Sequence, residues 1–253
     1  MNVLMSTALA TVVSVAAVTT ASGAQPSVAA QAGPAEKQMR GALLRNSDVP
    51  AWLSAHPKRT TRYRQPGRAG DRPLLCFEDR GSDIYGQRPK ARAHAQIDLG
   101  GDEDKGSALE AANSIYSYGT AARASRAWVG IVDKAIGCPA DATIVRKNPS
   151  ERVTIRQKTQ WAVTPRHLGL PGFTLRQRVW VTGTGTKDFD VVATKYTAYR
   201  VVGACVERVS LNRSTRSMAD VQLAGRDKAW VRSRTDRVAD RLSASCGRTS
   251  GLG

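Results

Sequence analysis

The sequence lacks the short motifs that mark the common catalytic and nucleotide-binding sites. It contains no GxSxG nucleophile elbow, no HExxH helix, no P-loop and no GxGxxG segment leading into a helix. Its three histidines, His56, His94 and His167, are far apart along the chain and each stands alone. A triad can assemble from distant positions, so a hydrolase with an unrecognised site stays an alternative. The sequence nevertheless favours a non-enzymatic protein, without catalytic residues, metal ligands or a cofactor.

Two segments resemble ligand-binding loops in composition only. Gly100–Asp104 carries three carboxylates, but it lacks the Gly and the Glu that an EF-hand has at its sixth and twelfth positions. We interpret it as a loop that enters a helix. Gly183–Lys187 (GTGTK) has the composition of a phosphate loop, but it lies between two predicted strands and no helix follows it. We interpret it as a hairpin turn.

Acidic residues are scarce, with 21 Asp and Glu against 38 Lys and Arg and a formal net charge of +17. The electrostatic field of such a positively charged protein favours acidic partners, among them anionic polymers and phosphate-bearing components of a cell envelope. The basic residues are spread along the chain, which also fits a solvated surface without a dedicated partner. No nucleic-acid recognition motif accompanies the charge, and the export argued next makes DNA a poor candidate.

The first 35 residues carry no charge at all. Val3–Val18 is a run of Ala, Val, Thr and Leu, and Ser22–Ala24 and Ala30–Ala32 both have the small-x-small pattern that signal peptidase recognises. No Lys or Arg precedes the run, and an uncleaved anchor stays an alternative, although the run is marginal for a span of about 20 residues. We predict a cleaved secretory signal and a location outside the cytoplasm, in the cell envelope or secreted, with no membrane span after cleavage.

The predicted signal takes up residues 1–32, and an Ala-, Gln- and Pro-containing spacer follows at 33–38. The remaining residues, 39–250, are enough for one domain with a sizeable core. They include four cysteines, Cys76, Cys138, Cys205 and Cys246, none of which forms a CxxC pair. An even number in an exported chain favours two disulfides over buried free thiols. Three connectivities are possible, and we favour the sequential one, Cys76–Cys138 and Cys205–Cys246.

Alternation of apolar and polar residues predicts an antiparallel sheet. It is clearest in Phe173–Leu211, which predicts a three-stranded meander with turns at Gly183–Asp188 and Gly203. Ala91–Leu99 and Glu151–Val163 alternate in the same way and predict further strands. Thr164–Gly172, with two prolines and two glycines, is predicted to be an irregular connection, and the basic segment His56–Gly70 a solvated loop.

Helical spacing predicts two main helices. Ser107–Ile136 is predicted as one long helix, or two broken near Gly119, with Ser107 and Glu110 as a capping box and Trp128 packed on the sheet. Asp227–Ser243 is predicted as a closing amphipathic helix. The fold class is therefore α/β in the α+β sense: an antiparallel sheet of about five to six strands, packed against two main helices and linked by disulfides.

The order of these elements resembles the extracytoplasmic sensor domain of actinobacterial PknH-type serine/threonine kinases. The matching segments are ALLRNSDVP (Ala42–Pro50), the Trp-containing helix that runs into a cysteine (Ala121–Cys138) and GAC (Gly203–Cys205), followed by a closing helix. The resemblance implies an antiparallel sheet, two disulfides and a cleft for an unidentified ligand, with no catalytic residues. Cys246 lies after the predicted closing helix, which departs from the family's second disulfide.

Three functions follow as hypotheses. The first is an exported, sensor-like domain that binds an unknown small ligand, or an anionic envelope component, in a cleft between sheet and helix. The second is a secreted hydrolase, which converging carboxylates or an accessible Ser–His pair would favour. The third is a basic module that binds anionic envelope polymers through a flat surface. The sequence predicts no oligomeric state.

Overall fold

A computed structural model describes residues 34–64, 88–101, 107–148, 151–185, 189–216 and 222–247. The predicted signal peptide, Cys76 and the carboxylates at 102–104 lie outside these ranges. None of the described helices is long and apolar enough to cross a membrane.

The described residues form one antiparallel sheet of eight strands, in the spatial order β1-β2-β3-β8-β7-β6-β5-β4. The strands are β1 (Lys58–Arg64), β2 (Ala91–Asp98), β3 (Ala108–Ser117), β4 (Asp141–Asn148), β5 (Glu151–His167), β6 (Leu170–Gly185), β7 (Phe189–Val202) and β8 (Cys205–Thr215). The helices are α1 (Glu36–Ala42), α2 (Ala121–Ile136) and α3 (Gly225–Cys246). The α+β class with an antiparallel sheet is confirmed, but the predicted five to six strands are too few.

The meander predicted from Phe173–Leu211 is confirmed as β6, β7 and β8. The GTGTK segment joins β6 to β7, which pair as far as Gly183 and Phe189, and Gly203 adopts a positive φ of 52° in the next turn. A side chain at Gly203 would collide with the carbonyl oxygen of Cys246. This turn therefore needs glycine, both for its backbone angle and for the close approach of the end of α3.

The largest error concerns Ser107–Ile136, whose first part is a strand and not a helix. β3 pairs with β2 on one side and with β8 on the other, so it lies inside the sheet. Ala111 and Ile115 are buried on one face and Tyr116 on the other, which removes the alternation that marks a half-exposed strand. Glu110 accepts a hydrogen bond from Gln96 and caps no helix. Helix α2 starts only after Thr120, whose hydroxyl accepts from the Arg123 amide.

Two segments predicted as loops are also strands. β1 lies within the predicted basic loop His56–Gly70 and pairs with β2 along its full length as an edge strand. β5 continues to His167, so the predicted irregular connection at Thr164–Gly172 is a tight turn through Leu168 and Gly169, both at positive φ. β4 was not predicted at all, and it forms the opposite edge of the sheet.

Helices cover both faces of the sheet. On one, here called the α3 face, α1 and α3 bury a core that includes Trp230, Val231 and Leu242 against residues such as Val209. On the other, the α2 face, α2 buries Trp128 as predicted. The ring centroid of Trp128 lies 5.4 Å from that of Phe173, which in turn stacks on Tyr199 at 4.7 Å. The sheet is thus the central layer of a three-layer domain.

The Cys205–Cys246 disulfide is confirmed. It joins the first residue of β8 to the last residue of α3, with 6.0 Å between the Cα atoms. Cys138, just after α2, is also disulfide-bonded, and no described cysteine is free. The proposed partner of Cys138, Cys76, lies outside the described residues, so that pairing stays a prediction.

Candidate functional site

The largest cleft described here lies beside α3. Helix α3 packs on β7 and β8, so the same face of β5 and β6 lies next to the helix and not under it. The step between helix and sheet leaves a cleft of about 770 Å³, here called the α3 cleft. That volume is within the range of small-molecule sites, roughly 300–1,000 Å³.

Three strands form the sheet side of the α3 cleft. Ala162 of β5, Thr174 of β6 and Tyr196 of β7 line it together with the edge residues Trp161 and Val163. Trp161 is 43% exposed and Val163 75% exposed. β4 pairs with β5 only as far as Lys158, so among the described strands this part of β5 has a neighbour on one side only. The edge of β5 therefore borders the cleft, whereas the side chains of Trp161 and Val163, opposite Leu175 and Phe173 in the strand register, belong to the α2 face.

Cationic side chains complete the α3 cleft. Arg176 extends from β6, while Lys228 and Arg232, four residues apart, share one side of α3. None of these three side chains makes an ion pair or hydrogen bond within the described part of the chain. No acidic residue lines this cleft. The cleft therefore combines uncovered apolar surface with positive charge that has no internal partner.

The acidic residues that continue the same side of α3 are already paired. Asp236 receives a hydrogen bond of 2.6 Å from Arg200, whose other terminal nitrogen donates to the Leu170 carbonyl at 2.8 Å. Asp240 contacts His167 Nε2 at 2.7 Å. These links, here called the α3 clip, attach the β5–β6 turn to the helix. A smaller pocket of about 190 Å³ beside the clip adjoins the α3 cleft through Thr164 and Arg232.

Glu207 lies beneath the clip without a hydrogen-bond partner. It is fully buried on β8, directly opposite Arg200 of β7, and neither carboxyl oxygen has a partner in the described chain. Burial raises the pKa of this carboxyl well above its usual value; Arg200 opposes the shift, whereas Asp236 and Asp240 reinforce it. The group is buried as a neutral acid and is not placed as a ligand for the cleft.

The histidines do not form a catalytic dyad with an accessible hydroxyl. His167 Nε2 contacts Asp240, and its Nδ1 lies 4.0 Å from Asp236, so both ring nitrogens face carboxylates. His94 Nδ1 lies 3.0 Å from Ser114 Oγ, but Ser114 is fully buried and out of reach of a substrate. The sequence treated these two histidines as isolated, and the structure gives each of them a partner.

The described residues offer no metal site either. No group of three or more His, Cys, Asp or Glu side chains converges in the described ranges. The acidic segment weighed as a calcium loop lies mostly outside them. The sequence did not predict a binding role for the cations of the cleft, although Lys228 and Arg232 are four residues apart in a predicted helix. Nothing in the sequence placed Arg176 beside them, because that proximity depends on how α3 packs across the sheet.

No protein-family model matches the chain, and no curated protein is significantly similar to it. The resemblance to PknH-type sensor domains therefore stays a prediction, and the function has to be argued from the clefts themselves.

Proposed function

We propose that the protein is an exported, non-enzymatic binding domain whose α3 cleft holds an acidic saccharide of the cell envelope. The observation that carries the proposal is the set of cations, Arg176, Lys228 and Arg232, that line the α3 cleft without an ion pair or hydrogen bond within the described residues. Cations that lack an internal carboxylate favour an anionic ligand. The cleft volume of about 770 Å³ is within the range of small-molecule sites.

Two further features support export and a binding role. The Cys205–Cys246 disulfide and the bonded state of Cys138 fit an oxidising compartment, in agreement with the predicted leader. The α3 clip fixes one end of the cleft, so the cleft is held open before a ligand arrives. A preformed site loses less conformational entropy on binding, which suits a sensor-like domain.

The alternative of a secreted hydrolase has less support. His167 contacts carboxylates, and His94 contacts the hydroxyl of the buried Ser114. Neither arrangement leaves a nucleophile facing a cleft. The third hypothesis, a flat basic surface for envelope polymers, does not explain why apolar and cationic groups line the same cleft.

The test measures binding of a uronic-acid oligosaccharide by calorimetry, with a neutral oligosaccharide of equal length as the ligand control. Replacing Arg176→Gln and Arg232→Gln together should weaken binding at least about tenfold without lowering the melting temperature, because both side chains lie in the cleft without internal partners.

The matched control is the double variant Arg126→Gln with Arg152→Gln, which removes the same charge from exposed positions outside the cleft. Equal weakening by the cleft pair and by the control pair would show that net charge alone attracts the ligand. Equal affinity for the neutral oligosaccharide would contradict the acidic-saccharide assignment.

A further inference from the structure

A second cationic pocket lies on the opposite face of the sheet. Its lining consists of Arg62 and Arg64 from β1 and Arg92 and His94 from β2, around a volume of about 180 Å³. The strand register places Arg62 directly opposite His94, and Arg64 directly opposite Arg92. Paired positions project from the same face of a sheet, so strand geometry alone brings these four side chains together. We call this site the arginine pocket; it shares no lining residue with the α3 cleft.

The inner wall of the arginine pocket is ordered by contacts from the next two strands. Ser114 of β3 lies opposite His94, and Arg208 of β8 lies opposite Ser114. The Ser114 hydroxyl oxygen is 3.4 Å from both Arg92 Nη2 and Arg208 Nε. These two guanidinium carbons lie 5.4 and 5.9 Å from the ring centroid of the buried Tyr116. Such contacts hold the arginine heads in place before any ligand binds.

Three arginines in or beside the pocket carry charges that no described carboxylate neutralises. Arg62, Arg64 and Arg208 make no ion pair with a carboxylate in these ranges, and no acidic residue lines the pocket. The pKa of His94 is lowered to about 4 by burial and by the positive charges of Arg92, Arg208 and Arg62. The imidazole is therefore neutral at neutral pH and available as a hydrogen-bond donor or acceptor. Several like charges held together in this way favour an anion between them.

We propose that the arginine pocket binds a phosphate group, either as the free ion or as a terminal phosphomonoester. Guanidinium groups donate paired hydrogen bonds to phosphate oxygens, and arginines on both strands would surround a tetrahedral anion from two sides. A dianion also offsets more of the clustered charge than a carboxylate does. The volume is that of about six water molecules at the liquid density of roughly 30 Å³ each, which admits one phosphate group but not a large ligand.

The first experiment titrates the full protein with inorganic phosphate and, in a separate arm, with glycerol phosphate, at low and constant ionic strength. The double variant Arg62→Gln with Arg64→Gln should weaken phosphate binding at least about tenfold. Both side chains are exposed on an edge strand, so the variant should keep its melting temperature. The charge-matched control is Arg126→Gln with Arg152→Gln, at exposed positions outside both the arginine pocket and the α3 cleft, which should bind phosphate as the wild type does.

A second readout follows His94 by two-dimensional NMR. A bound phosphate, which is a monoanion in the pH range in which His94 titrates, should raise the pKa of His94 above about 4, because its negative charge offsets the arginine charges that lower it. Acetate at the same ionic strength should produce a smaller rise. If both phosphate ligands raise the pKa of His94, the pocket accepts a phosphomonoester as well as the free ion. If only inorganic phosphate raises it, the ligand is the free ion.

Two results would overturn the proposal: absence of binding in both phosphate arms, or equal weakening by the arginine-pocket pair and by the control pair Arg126→Gln with Arg152→Gln. The second would mean that phosphate responds to net charge only. Because the saccharide test uses the α3-cleft variants and a uronate ligand, failure of either proposal is seen separately from failure of the other.

Discussion

The two faces of the sheet hold their helices by different means. On the α2 face, α2 packs through apolar contacts, with Trp128, Phe173 and Tyr199 in one aromatic row, and Cys138 just after the helix is disulfide-bonded. On the α3 face, α3 also buries apolar residues, but polar links surround them: the Cys205–Cys246 disulfide, the α3 clip and an ion-pair cluster at Asp48. Helix α3 is rich in arginine, so its position depends on specific partners as well as on burial.

The Asp48 cluster shows how such partners work. The Asp48 carboxylate is almost fully buried and accepts hydrogen bonds from Arg241 at 2.8 and 2.9 Å, from Arg237 at 3.3 Å and from the Arg45 amide at 2.8 Å. The Asp48 carbonyl accepts a further bond from Trp230 Nε1 at 3.1 Å. One acidic residue thereby ties the segment after α1 to three different turns of α3. The comparison teaches that arginines along α3 have different roles: Arg234, Arg237 and Arg241 pair with Asp48, whereas Arg232 lines the cleft without an acidic partner within the described residues.

Removing the disulfide should cause the largest loss on the α3 face. The bridge closes a loop with a sequence separation of 41 residues, for which the chain-entropy relation gives about 4 kcal/mol. We expect Cys205→Ala with Cys246→Ala to lower the free energy of unfolding by about this amount in urea denaturation. Ser233→Ala, an exposed substitution on α3, is the control and should change stability by less than about 0.5 kcal/mol. A loss no larger than the control's would show that the links of the clip and of Asp48 hold α3 by themselves.

The aromatic row of the α2 face should give the next largest effect. Trp128→Ala removes a buried indole and leaves a cavity against Phe173, at an expected cost of about 3 kcal/mol. Since no charge is involved, the loss should be the same in low and in high salt. Exposed Val129→Ala on the same helix is the matched control. A loss that changes markedly with salt would contradict the apolar account of this face.

The sequence could predict elements whose composition agrees with their structure. β6, β7 and β8 are rich in β-branched and aromatic residues, which marks them as strands although consecutive residues such as Val201 and Val202 are buried. The buried positions of α3, from Trp230 to Leu242, follow the helical period. β3 was mistaken for a helix because the run ALEAANSIYS is rich in alanine and begins with an apparent capping box. β1 was mistaken for a loop because an edge strand with few buried side chains has the composition of a solvated basic segment.

The sites were less predictable than the fold because their residues meet only through topology. Asp48 precedes Arg241 by 193 residues, and Arg62 reaches Arg208 only across β2 and β3. The excess of positive charge was evident in the sequence, and it suggested anionic ligands as hypotheses. It could not separate arginines that stabilise α3 from those that line a cleft, because that distinction depends on which arginine lies near an acid.

Asp48→Asn tests the electrostatic side of the comparison and should cost about 2 kcal/mol. Removing one partner of a buried ion pair costs about 3–5 kcal/mol, and the estimate is reduced because Arg237 is half exposed to solvent. Although burial acts to raise the pKa of Asp48, hydrogen bonds from Arg241, from the Arg45 amide and from Arg237 hold it below the usual aspartate value of about 3.8. The folded state therefore favours the ionised form. Its contribution is complete above pH 4 and disappears as the pH falls through the folded-state pKa.

Acid titration of stability checks this prediction. The wild type should lose stability below about pH 4, and the Asp48→Asn variant should lose less over the same interval. Asp133→Asn, in α2 on the opposite face, serves as a charge-matched control. An Asp48→Asn variant that is as stable as the wild type at pH 7 would mean that the hydrogen bond from Trp230 to the backbone suffices to dock the segment after α1.

Glu207→Gln should give the smallest effect, and one of opposite sign. The folded-state pKa of Glu207 lies above the unfolded value of about 4.5, so above that pH the native state binds more protons than the unfolded state. Stability then falls as the pH rises toward the folded-state pKa. Glutamine keeps the shape without a titrating proton. We expect the variant to match the wild type near pH 4 and to exceed it by about 1 kcal/mol at pH 8 in thermal unfolding.

The control for Glu207→Gln is Glu36→Gln, which removes the same charge from an exposed position on α1. If Glu207→Gln destabilised the protein at pH 8, the carboxylate would have to be ionised in the native state and paired with Arg200, its opposite neighbour in the strand register. Arg200 would then be shared between Glu207 and Asp236, and the α3 clip would depend on a buried charge instead of a neutral acid. The direction of this one small change therefore decides which electrostatic arrangement holds the β5–β6 turn against α3.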